Sequence, residues 1–387
     1  MIVGRRLSWH IILRYTGIPV AVHVFFALAI VVGYRVFGAS WMAVPTMPIS
    51  VLAAALGVLL AFRNNSAYDR WWEARTLWGG VVNWSRTFAR QVLTLLPRPG
   101  RQPGDELTEL ELAAVPSRLL RSAVDRPSAL LTVRGTRASD GAVRDRFGQA
   151  RVPSGARDTS GEVAVLGTPL QAQGEPRGVI TRMVEDITED ARELVYAQMG
   201  FVHALRCHLR RQDPLPEIVA FFRPDVIDAL REEHNVPSAI LLWMATRLRR
   251  IYGQVSDPQK VLFLHVTMDR TLTEMTNLLG ACERIKNTPL PRQYDSLLFA
   301  MTRAYLVLLP LGVVEELGWL TPAVTAIIAF LFIGLDAVGR DIETPFEDDL
   351  SDTPMTALSR TIEINLRQML GETELPQPVQ PKDGLLY

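Results

Sequence analysis

Phe62-Arg63-Asn64-Asn65-Ser66-Ala67-Tyr68-Asp69-Arg70-Trp71-Trp72-Glu73-Ala74-Arg75 decides the reading of this chain. It continues without a break from an apolar run over residues 47–61. A helix compatible with hydrocarbon therefore runs directly into one crowded with Trp, Arg and acid, which is the pattern of a membrane boundary. Trp71, Arg75 and Trp78 fall at i, i+4 and i+7 on one helical face, so Arg75 is expected to stack between indoles. Asn64 and Asn65 are placed either to offer amide N–H groups to an anion or to cap neighbouring backbone.

Working outward, four apolar segments are candidates for spanning: residues 18–37, 47–62, 296–317 and 320–338. The second is shorter than the usual ~20 residues and is completed by the amphipathic stretch that follows it. The links within each pair, residues 38–46 and the break at Gly318-Trp319, carry no charge. Arg5, Arg6, Arg14, Arg63, Arg70 and Arg75 flank the first pair on its other side. Arg284, Lys286, Arg292 and Arg340 do the same for the second. Cations mark the cytosolic side, so both hairpins dip outward and both termini lie inside, as in an inner (plasma) membrane protein. The competing reading is a pair of buried helical hairpins in a soluble protein.

The chain of 387 residues is 48% apolar with a formal net charge of zero, so no basic field calls for nucleic acid. Residues 1–96 hold the first hairpin and the boundary helix. Residues 97–186 are rich in Arg, Gly and Pro and read as a loop or disordered insert, with a possible helix at 107–120 and short strands at 129–133 or 163–166. Residues 187–295 return to helical periodicity, with helices expected at 237–252 and 261–286. Residues 296–340 form the second hairpin, and 341–387 an acidic turn, a helix at 357–370 and a tail. The fold class is all-α.

No phosphate loop, nucleophile elbow or zinc-protease motif appears, and the six histidines are scattered, so no catalytic constellation and no cofactor are expected. Cys207 and Cys282 match no zinc or redox spacing and read as buried free thiols. Asp348, Asp349 and Asp352, with Glu347, are weak candidates for a hard cation, against the plainer reading of a solvated turn. Arg303 with Glu315 or Glu316, His23 and Asp336 are ionisable groups inside apolar segments; Arg303 and Asp336 are placed to pair across their hairpin. On the second span, Met47, Val51, Ala55, Val58 and Phe62 recur at helical spacing. Several copies of that helix would be needed to line a pore.

Taken together, the chain resembles the bestrophin family in its bacterial branch. The resemblance rests on Phe62 through Arg75, continuing to Trp78-Gly79 and Asn83, Ser85 and Arg86. It rests also on Asp336 through Ile342, Glu343, Pro345 and Phe346, then Asp352, Pro354 and Arg360 through Glu363. It covers the chain to about residue 370 except 98–185, which looks like an insertion. The resemblance implies a homopentameric ion channel in the lipid bilayer, with four membrane helices per subunit and a helical cytosolic vestibule. It passes small ions, by family chloride or other anions, with cations possible for a bacterial member. It implies an apolar pore neck at Met47, Val51 and Ala55, and a cytosolic constriction at Met244 or Ile240. Arg63, Asn64, Asn65, Tyr68, Asp69, Arg70, Trp71, Trp72, Glu73 and Arg75 would form the inner mouth. Animal members bind calcium after Pro-Phe; here the continuous acidic run is missing. The alternative is a non-conducting membrane scaffold or small-molecule transporter.

Overall fold

The computed structural model describes residues 9–97, 187–255, 258–381 and 386. The chain divides into two compact units, residues 1–101 with 186–387, and residues 102–185. The second unit, with the expectations for 107–120, 129–133 and 163–166, lies outside the described residues. Among the described residues the secondary structure is helical: α1 Trp9–Arg35, α2 Thr46–Leu95, α3 Glu189–Leu209, α4 Leu215–Ile218, α5 Pro224–Leu230, α6 Val236–Tyr252, α7 Pro258–Asn287, α8 Arg292–Leu317, α9 Thr321–Glu343 and α10 Met355–Met369.

The decisive stretch lies inside α2, a single helix of 50 residues, about 75 Å long at the usual helical rise. Pro48 falls in its first turn, where a missing N–H breaks no helical bond, so the helix starts cleanly. Nothing interrupts it at the apolar-to-polar change, because Phe62 to Arg75 contains neither Gly nor Pro. Further along, α7 packs directly on Gly80: a Cβ there would lie 2.9 Å from Leu278 Cδ2.

Three stretches are long and apolar enough to cross a membrane: Thr16–Arg35, Ser40–Leu95 and Arg292–Glu343. The last contains two helices, α8 and α9, which pack on one another after the chain turns at Gly318. Gly318 has φ +52°, a left-handed conformation that disfavours a side chain. The tips of the two hairpins meet, since a Cβ on Gly318 would lie 2.6 Å from Arg35 Nη2. The Val44 N–H donates to the Leu311 carbonyl at 3.1 Å across the same contact.

Two large apolar cores result, beside a small cluster of Ile30, Val31 and Val314 that joins α1 to α8. The first part of α2 with α8 and α9 encloses Ile49, Leu56, Leu60, Leu306, Leu309, Ala329 and Ile333. The second part of α2, with α3, α6, α7 and α10, encloses Trp78, Phe88, Met199, Phe201, Met268 and Ile362 among others. Ile240 and Met244 also lie in this second core, Met244 with 0% of its surface exposed. They therefore cannot line a constriction facing a shared axis. The apolar periodicity of α6 marks the face that packs inward. Its outward face carries Ser238, Leu242, Thr246 and Arg249.

Candidate pore helix and its inner junction

α2 has two faces. Ile49, Leu56, Leu60, Arg63, Ala67, Ala74 and Trp78 are buried against the rest of the chain. Met47, Val51, Ala55, Val58, Phe62, Asn65, Asp69 and Trp72 are exposed, Val51 by 64%. These exposed positions are spaced by four or three residues, so they form one stripe roughly 38 Å long. Its first half is apolar and its second half amide, carboxylate and indole. One helix encloses nothing. A stripe that the described residues of its own chain leave uncovered is what copies around an axis need.

The stripe is held in place by what lies behind it. Arg63 is 1% exposed, and its guanidinium reaches three carboxylates on two other helices. Nε donates to Asp295 Oδ1 at 2.9 Å, Nη1 to the Asp336 carbonyl at 3.0 Å and its Oδ1 at 3.4 Å, and Nη2 to Glu343 Oε2 at 3.4 Å. The start of α8 and the end of α9 are thereby fixed to α2 at the end of its apolar half. A planar five-donor guanidinium suits this task better than a point-charge ammonium. Asn64 Nδ2 donates to the Leu335 carbonyl at 3.0 Å. Of the two roles open to Asn64, the structure thus shows the backbone cap. Arg70 donates to the carbonyls of Ile285 and Thr288, which ends α7 on a cation as its dipole favours. Trp71 Nε1 donates to the Ser351 carbonyl at 2.7 Å, and Glu73 pairs with Arg284.

Two expectations about charges and rings are corrected. Arg75 stacks on no indole; Trp71 and Trp72 instead group with Tyr68, with ring centroids 6.0 to 6.5 Å apart. Among the described residues the cations over rings are Arg303, Arg340 and Arg367. Arg303 does not pair with Asp336, because Asp336 faces Arg63 and Arg340. Arg303 instead meets His23 Nε2 at 3.4 Å. Glu315 and Glu316 are exposed at the far end of α8.

The acidic turn does not assemble a cation site. Asp348 pairs with Arg210, Asp349 is exposed, and Asp352 turns inward. Asp352 Oδ2 accepts the backbone N–H groups of Asp348 at 2.7 Å and Asp349 at 3.1 Å. Among the described residues no cluster of His, Cys, Asp and Glu is placed to hold a metal. The turn is a clamp: Lys286 Nζ meets Glu347 Oε1 at 2.7 Å, and Ser351 donates to Asp341. Asp348 adopts φ +83°, held there by these contacts.

Burial pushes the Asp352 carboxyl up from its ordinary 3.8 to about 6, against the pull of the backbone N–H groups it accepts. The folded chain therefore binds this proton more tightly than the unfolded chain. Above about pH 6 the ionised buried carboxylate costs stability, roughly 3 kcal/mol for a shift of that size. That cost disappears as pH falls through 6 towards the ordinary carboxylate range. Asp352→Asn keeps the acceptor oxygen without the charge. It should melt above the parent at about pH 7.5 and level with it near pH 4. Thermal unfolding of both proteins in detergent checks this; an equal offset at both pH values contradicts it.

Cys207 and Cys282 are buried and free, as their spacing implied. Burial raises both thiols, Cys282 to about 12, so neither is thiolate near neutrality.

Several of these contacts join residues that the sequence placed in quoted motifs without a partner. Asp295 and Ser351 carry no signal in the sequence. Glu343 stands in the stretch after Asp336 and Arg284 among the flanking cations, neither with a partner named.

The model of the bacterial and fungal bestrophin protein family matches residues 10–131 and 176–368, which include α2, the Arg63 partners and the acidic turn. The chain belongs to this family. The match reaches into both ends of residues 98–185, so the stretch outside it, 132–175, is narrower than the insertion read from composition. A voltage-dependent anion channel-forming protein of Ralstonia nicotianae is 28% identical over 331 residues, which cover 85% of this chain and 79% of that one. One of Escherichia coli K12 is 25% identical, over 86% of this chain and 80% of its own. A crystal structure of a bacterial bestrophin homolog from Klebsiella pneumoniae superposes with a TM-score of 0.62 at 22% identity, over 92% of this chain and 98% of that one. The bestrophin fold of the chain is therefore established.

Proposed function

We propose that this bestrophin is a subunit of a homopentameric ion channel of the inner membrane that passes small anions. Each subunit crosses the bilayer four times, by α1, the first part of α2, α8 and α9, with both termini in the cytosol. Met47, Val51 and Ala55 form the neck. Asn65, Asp69 and Trp72 line the inner mouth, and the outward face of α6, with Leu242, faces the vestibule. The reading makes the chain a conduit and not a catalyst.

The exposed apolar stripe of α2 carries this proposal. Among the described residues nothing covers it, and it continues without a break into a polar stripe on the same helix. Apolar walls of this kind gate by drying, and the polar stripe beyond restores solvation to an ion that has passed. The names of the Ralstonia and Escherichia relatives support anions as the permeant class. Basic flanks and uncharged tips support the orientation.

Planar bilayers with the purified oligomer under a KCl gradient test the proposal. The expected result is a current that reverses near the chloride potential. A pentamer that carries no current, or a monomeric protein, overturns the channel reading. Reversal near the potassium potential overturns the anion assignment alone.

A further inference from the structure

Arg303 is a cation that no carboxylate among the described residues pairs with. It lies on α8 about 16 Å along the axis from the helix start, within an apolar segment. Its contacts are His23 Nε2 at 3.4 Å and the Phe299 ring, whose centroid is 5.0 Å from the guanidinium carbon. Asp295, Asp336 and Glu343 all serve Arg63. Phe299 is one turn before Arg303, so the long side chain bends back towards the helix start. In the proposed orientation this is the direction of the cytosolic interface.

A second cation stands at the same ring. The Arg340 guanidinium carbon, from α9, is 5.6 Å from the Phe299 centroid. Its carboxylate partner, Asp336, is shared with Arg63. The site is open: Phe299 is 42% exposed and the Arg340 side chain 48%. Val307, one turn beyond Arg303 on the same face of α8, is 41% exposed and adds apolar surface beside the pair. Two cations around a ring, turned in the proposed orientation towards the inner headgroups and beside an exposed apolar side chain, match one occupant. That occupant has an anionic head and hydrocarbon tails.

We propose that Arg303 and Arg340, flanking Phe299, hold the phosphodiester of an anionic phospholipid of the inner leaflet. With its proton on Nδ1, His23 accepts one Arg303 N–H at Nε2 and so fixes the guanidinium, whose other N–H groups face the phosphate. The acyl chains lie along α8, past Val307. The inference rests on the membrane orientation proposed above and is independent of which ion the pore passes.

The test is titration of the detergent-solubilised oligomer with phosphatidylglycerol, read by native mass spectrometry and by the thermal midpoint. Phosphatidylcholine and inorganic phosphate are titrated in parallel. Phosphatidylglycerol should bind and raise the midpoint, with the other two at least about tenfold weaker. Arg303→Gln and Arg340→Gln should each lose about tenfold in affinity, while Arg303→Lys, which keeps the charge without the fork, retains part of it. Equal phosphatidylglycerol affinity in the parent and both glutamine variants overturns the site. Equal binding of inorganic phosphate overturns the lipid as its source. Bilayer currents of the same variants separate the two proposals, since a protein that conducts without the lipid preference refutes only this one.

Discussion

Arg63→Met destabilises the folded chain by about 3–5 kcal/mol, the cost of removing one partner from a buried ion cluster. The substitution keeps much of the side-chain volume and removes only the fork. Asp336 and Glu343, both nearly fully buried, are then left without their shared cation. Arg63→Lys recovers only part of the loss, because an ammonium cannot reach three carboxylates in fixed directions. Adding Asp336→Asn and Glu343→Gln to Arg63→Met should restore stability beyond the sum of the single effects, since the three side chains act together. A Cβ on Gly339 would overlap Asn64 Oδ1 and lie 2.7 Å from Arg63 Nη1, so Gly339→Ala weakens the same junction. Unfolding of the oligomer in detergent, followed by tryptophan fluorescence, gives these differences. Arg63→Met that unfolds with the parent would show that the cluster holds nothing together.

Val51→Phe reduces single-channel conductance by on the order of tenfold. Val51 is the middle of the three proposed neck positions, and it is exposed on the stripe that α2 turns away from its own core. In a pentamer one substitution places five rings in one ring of residues, which narrows the neck and lengthens its dry section. Val51→Ser acts in the opposite direction, because a hydroxyl lowers the cost of wetting. Neither substitution touches the buried face, so both proteins should assemble and melt as the parent does. Unchanged conductance in both would remove Val51 from the ion path.

The sequence made α2 legible because its two signals agree. Apolar spacing from Met47 to Phe62 continues in phase with the Trp and Arg stretch, and no Gly or Pro stands at the junction. The partners of Arg63 were hidden for a different reason. They lie more than 230 residues away along the chain, and a lone carboxylate such as Asp295 shows nothing of its partner. Asp336 was visible as an ionisable group in an apolar segment, but pairing it with Arg303 assumed that hairpin neighbours face each other. The facing cation came from α2. On α6 the resemblance placed the constriction at Met244 or Ile240, and both belong to the periodic face that packs inward. Leu242 breaks that pattern, an exposed apolar residue on the outward face of the same helix.

The central claim is that the exposed stripe of α2 lines a shared path, and single cysteines placed on it test this most directly. The two native thiols are buried, so an introduced one reacts alone. Val51→Cys and Ala55→Cys, treated with a charged methanethiosulfonate during bilayer recording, should lose most of their current within the exposure. Ile327→Cys, on the exposed apolar face of α9, should not change. Current that is insensitive at Val51 and Ala55, or lost equally at Ile327, would contradict the account.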